Sequence, residues 1–129
     1  MLQNLLSFER YKNKPFYFII ILVLTIFITR IITYYILDPN ILLFGFELHH
    51  LYYGIILLII TSIMSVFNKN DKISSILYAI SLGLIIDEFE YALKGFGDIN
   101  KYAATLPSVI VITLLIILTI VIIQYKHKK

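Results

Sequence analysis

The chain has 129 residues, 60% of them hydrophobic and only 15% charged; a soluble domain carries roughly 25% charged residues, so the composition argues against a water-soluble globule. With no cysteine, disulfides, thiolate catalysis and thiolate metal sites are excluded. The formal charge of +3 lies in short basic clusters, whereas a nucleic-acid footprint needs a continuous basic face, so no nucleic-acid partner is expected.

In chain order, Met1 to Lys14 alternates Leu2, Leu5, Leu6 and Phe8 with Glu9, Arg10, Lys12 and Lys14. That pattern suits a short interfacial helix or a disordered basic tail. Four apolar stretches follow, at about 16–37, 48–67, 73–93 and 106–125. Each is near the ~20 residues an α-helix needs to cross the hydrocarbon core. The first ends at Asp38-Pro39-Asn40, where proline cannot continue a helix. Asn68-Lys-Asn-Asp-Lys72 connects the second to the third, and Gly95, Gly97 and Asp98 mark the next loop. Pro107 falls in the first turn of the fourth, where its missing N–H does least harm. The predicted fold is all-α: a polytopic membrane protein forming one domain, a four-transmembrane-helix antiparallel bundle in the lipid bilayer.

Lysine and arginine orient this bundle. Arg10, Lys12 and Lys14 precede the first span, Lys69 and Lys72 lie between the second and third, and Lys126, Lys128 and Lys129 end the chain; the opposite side has only Lys94 and Lys101. The positive-inside rule then places both termini in the cytoplasm of a cell (plasma) membrane protein. Tyr17 and Tyr125 fall at the inner interface, and Tyr34, Tyr35, Tyr52, Tyr53 and Tyr91 toward the outer one, as an aromatic belt.

The third stretch ends in Asp87, Glu88 and Glu90, and ionisable residues at such depth cost a few kcal/mol unless they find partners or water. A hairpin centred between Asn68 and Lys69 puts His50 level with Asp87, Gly54 with Gly83, Leu58 with Ala79 and Ser62 with Ser75. These positions recur at helical spacing and predict a small-residue contact in which Gly54 meets Gly83. At about 1.5 Å per residue, Arg30 and Asp87 both lie about 21 Å from the inner boundary, so the polar groups share a depth.

Glu47-Leu-His-His50 has the Glu-x-x-His spacing found in bundle di-metal sites, and Asp87-x-x-Glu90 adds carboxylates on one face. Glu47, His49, His50, Asp87 and Glu90 are therefore the candidate ligands of a divalent ion (zinc, manganese or iron), since imidazole with carboxylates suits each of these. Glu88 is the candidate catalytic proton shuttle beside a metal-activated water. Arg30, Tyr53 and Tyr91 are the candidate ion-pair and supporting residues. Two alternatives stand beside the metal reading: a buried network in which Arg30 neutralises Asp87 or Glu88, belonging to a structural or assembly subunit, and an oligomeric proton or cation path, with a homo-oligomer as its form. Thr25, Thr29 and Thr33 share one helix face and are expected to bond back to their own helix or to contact a neighbouring helix.

His49-His50-x-x-x-Gly54 and Gly83-Leu-x-x-Asp87-Glu88-Phe89 resemble the two motif segments of a family of small, uncharacterised prokaryotic integral membrane proteins. The resemblance covers about Glu47 to Val111. In that family the first segment carries a further histidine where Glu47 stands, and the second a glycine where Ser81 stands. The resemblance implies that the His-His and Asp-Glu segments belong together, and implies no activity.

Overall fold

The computed structural model describes residues 14–35, 41–43, 46–67 and 71–127, with the backbone alone at 41–43 and 46–48. In chain order the elements are α1 (Lys14–Tyr35), β1 (Ile41–Leu43), β2 (Phe46–Leu48), α2 (His50–Phe67), α3 (Asp71–Leu93), α4 (Ile99–Ala103) and α5 (Leu106–His127). Each long helix occupies one of the four apolar stretches, where a backbone out of reach of water satisfies its own N–H and C=O groups. Two spans, α1 and α2, and the α4–α5 segment Ile99–His127 are long and apolar enough to cross a membrane. The apolar helices fit association with a lipid bilayer. Of the segment Met1 to Lys14, expected at the membrane surface, residues 1–13 lie outside the described residues, as does the Asp38-Pro39-Asn40 turn.

The antiparallel pair β1–β2, with Ile41 opposite Leu48 and Leu43 opposite Phe46, joins α1 to α2. The long elements are all helices, as the sequence patterning predicts, and this short hairpin only links two of them.

Helix α3 is the centre of the bundle and packs on α1, α2 and α5. Eight of its residues are buried, against three each in α1 and α2 and one in α5. It runs parallel to α1, since Lys14 pairs with Asp71 and Arg30 with Asp87. It runs antiparallel to α2, with His50 at Asp87 and Ser62 and Ser65 at the Tyr78 hydroxyl.

The small residues do not meet as expected. A Cβ on Gly83 would come within 2.8 Å of Thr25 Cβ and 3.1 Å of the Leu22 carbonyl on α1. A Cβ on Gly54 would come within 2.9 Å of Leu84 Cβ and of the Ser81 carbonyl. Gly54 thus packs near Ser81 and Leu84, while Gly83 faces α1. The reason is angular: the depth rule fixes a level, but residues two apart, such as 81 and 83, lie on nearly opposite sides of a helix. Helix α3 divides its small residues between two neighbours. Ala79 joins Leu22, Ile26, Ile86 and Val109 in the apolar core.

The end of α3 is closed by Gly95 at φ 77°, with Phe96 N–H donating to the Tyr91 carbonyl and Gly95 N–H to the Ala92 carbonyl. That is a Schellman cap, and the Phe96 ring lies against Tyr91 as such caps favour. Asp98 caps α4 by accepting from the Lys101 N–H. Pro107 lacks the N–H that would continue α4 smoothly into α5. The resulting break at Ala104–Thr105 carries Tyr102 and Thr105 inward, both buried.

Candidate functional site

Asp87 is fully buried, and its two carboxylate oxygens serve three donors from three segments. Arg30 Nε donates to Oδ1 at 2.6 Å, His50 Nε2 lies 2.8 Å from Oδ2, and the Tyr102 hydroxyl donates to Oδ2 as well. A buried carboxylate is costly unless paired and hydrogen-bonded; here helices α1, α2 and α4 each supply one partner. Asp87 can reach both flanks because it sits at the seam between the α1-facing and α2-facing sides of α3.

Arg30 is held as closely. One Nη donates to Thr105 Oγ1 at 2.9 Å and to the Asp87 carbonyl at 3.3 Å, the other to the Tyr102 carbonyl at 3.5 Å. Its guanidinium carbon stands 4.5 Å from the centre of the Tyr102 ring. A planar, always-charged group with several fixed donors suits this role, which a lysine cannot reproduce.

Glu88 faces the other way, toward α2. Its Oε2 accepts the Leu51 backbone N–H at 2.8 Å, capping the start of α2 from another helix. A carboxylate there also meets the positive end of the helix dipole. Its Oε1 lies 3.1 Å from His50 Nδ1 and 3.5 Å from His49 Nδ1. The His50 ring therefore sits between two carboxylates, one at each nitrogen. With a proton on both nitrogens it donates to both; as a neutral ring it has one donor for two acceptors.

The expected site residues divide as follows. His49, His50, Asp87, Glu88 and Arg30 come together at one end of the bundle. Glu90 turns to Lys94, its i+4 neighbour, and to Ser108 on α5. Tyr53 is exposed and takes no part. Tyr91 is buried rather than part of an exposed belt; its ring packs on those of His49 and Tyr102, and its hydroxyl donates to the Gly97 carbonyl. The Glu47 side chain lies outside the described residues. Among the described residues no group of three or more His, Asp and Glu side chains is placed to hold a metal ion. The physical reason lies in the donors: Arg30 and Tyr102 occupy Asp87 from one side, the Leu51 N–H takes one oxygen of Glu88, and Glu90 points to Lys94.

Sequence reasoning missed Tyr102 and Thr105, which sit in a stretch that reads as an ordinary connection. The signal was the demand side: Arg30, deep in α1, needs more acceptors than Asp87 supplies. On α1, Thr25 and Thr29 bond back to the Ile21 and Thr25 carbonyls as expected. Thr33 does not bond back; its buried hydroxyl lies beside Tyr102 instead.

A scan against protein-family models, a search of curated proteins and a search of solved structures return no match.

Proposed function

We propose that the chain is a four-span membrane protein, α3 crossing the membrane as well as the other three long helices, with both termini in the cytoplasm, and that the Arg30–Asp87–His50–Glu88 network is a latch closing the outer end of the bundle. The protein then acts as a structural or assembly subunit of the cell membrane. The observation that carries this reading is Asp87, completely buried with Arg30, His50 and Tyr102 on its two oxygens. Its acceptor capacity is spent on the protein's own donors, and a metal entering there would meet the Arg30 charge. A network of this kind fastens α1, α2 and α4 to the central helix at one level. The resemblance to small prokaryotic four-span proteins belongs to the same proposal, because the two segments that carry it are the ones that meet.

A second reading, proton binding, is favoured by one observation: the His50 ring lies between Asp87 Oδ2 and Glu88 Oε1. A ring so placed can offer one nitrogen to each carboxylate. Toward the other end of the bundle the serine and threonine hydroxyls of α2 and α3 are Thr61, Ser62, Ser65, Ser74, Ser75 and Ser81, and of these Thr61, Ser62, Ser65, Ser75 and Ser81 bond back to their own helices. That arrangement supports a latch over a through-path.

The experiment uses full-length protein in nanodiscs and liposomes, as wild type, Asp87→Asn and His50→Ala. The latch reading expects lower thermal stability and loss of co-purifying partners in the variants, no proton flux above empty liposomes and no stoichiometric metal. One zinc, manganese or iron per chain, lost in His50→Ala, would instead establish the metal site. Flux abolished by Asp87→Asn would establish the proton path.

A further inference from the structure

Between α3 and α4 the backbone adopts three successive positive φ angles, 77° at Gly95, 55° at Phe96 and 152° at Gly97. Glycine takes such angles freely, but Phe96 does not, and a bulky residue there stores strain that its surroundings must offset. The offset is visible. The Phe96 ring lies parallel to His49, tilted by only 2° with centroids 3.8 Å apart. The Tyr91 hydroxyl both donates to the Gly97 carbonyl and accepts from the Gly97 N–H. His49 is buried beneath this cover, with its Nδ1 3.5 Å from Glu88 Oε1.

We propose that Gly95-Phe96-Gly97 is a strap that seals the network from water, with Phe96 as its closing plate over His49 and the two exposed glycines as its hinges. A plate held in a strained backbone by one ring stack and one tyrosine is a low-cost point of opening, because releasing it relieves strain while the Asp87 contacts stay made. When the strap lifts, His49 and the Glu88 oxygen beside it become the first groups reached from the aqueous side. Water and protons enter there rather than between the helices. This inference rests on the geometry of the network and not on whether the network latches, senses or conducts.

Two substitutions separate the strap from simple misfolding. Nothing lies within 4 Å of a Cβ placed on Gly95, so a side chain there has room and only the backbone angle is at stake. Gly95→Ala disfavours the left-handed conformation, whereas Gly95→Asn tolerates it. In full-length protein in nanodiscs, carbethoxylation of His49 by diethyl pyrocarbonate is followed by peptide mass spectrometry, with exposed His127 as the internal standard. Wild type is expected to react at His49 far more slowly than at His127. Gly95→Ala and Phe96→Ala are expected to speed His49 by about tenfold, while Gly95→Asn stays near wild type, as strain of this order implies. Thermal unfolding of Gly95→Ala checks that the fold persists. Equal rates at His49 and His127 in wild type, or no acceleration in a folded Gly95→Ala or Phe96→Ala protein, would overturn the strap. Either result leaves the stability and flux tests of the latch unaffected.

Discussion

Arg30 and Asp87 stand 57 positions apart in the chain and 2.6 Å apart in space, on helices that run in the same direction. The same offset separates Lys14 from Asp71, which pair at the other end of these helices. The parallel register of α1 on α3 is thus fixed by charge at both ends and by the Gly83 contact between them. Arg30→Lys tests how much of this depends on the guanidinium. A lysine keeps the charge but cannot serve Asp87, Thr105 and the Tyr102 carbonyl together. We expect a loss of about 1.5–3 kcal/mol, the range for hydrogen bonds to charged groups, in unfolding from detergent micelles.

Tyr102→Phe removes one hydroxyl and keeps the ring that faces Arg30. The Asp87 Oδ2 oxygen then retains only His50. The expected cost is about 1–3 kcal/mol, the penalty for an acceptor left short inside a protein. Tyr53→Phe, on an exposed ring, is expected to leave the same unfolding curve in place.

Glu88→Gln keeps the shape of the α2 cap and removes its charge. Loss of the charge-assisted bond to the Leu51 N–H and of the favourable dipole contact should lower stability by about 1 kcal/mol. Amide hydrogen exchange at Leu51 should rise more than at mid-helix residues of α2. Unchanged exchange there would show that Glu88 does not hold the helix end.

The absence of cysteine makes engineered pairs easy to read. Gly54→Cys with Leu84→Cys is expected to form a disulfide after a shift of about 1 Å to reach the normal Cβ separation. Gly83→Cys with Thr25→Cys should behave alike. Gly54→Cys with Gly83→Cys should stay reduced, because the two residues face different neighbours.

That last pair marks how far the sequence could be read. Hydrophobic run lengths are enough to place the long helices, because a helix buried in an apolar setting has few alternatives. Hairpin symmetry is enough to bring His50 to Asp87, since depth follows from counting residues. Azimuth does not follow from counting, so Gly83 was expected on α2 and is found on α1. Tyr102 and Thr105 reach Arg30 only because Pro107 interrupts the helix, and the direction the chain takes after such a break depends on packing. Tyr91 has the composition and position of an interface tyrosine, and the cap that buries it is a property of Gly95 and Phe96 acting together.

The central claim is that Arg30 and Asp87 are one structural unit, and a double-mutant cycle in thermal and chemical unfolding tests it most directly. Arg30→Met alone and Asp87→Leu alone should each cost about 3–5 kcal/mol by leaving a buried charge unpaired, whereas the double variant should cost far less than their sum. Additive losses, with no coupling between the two positions, would contradict the latch.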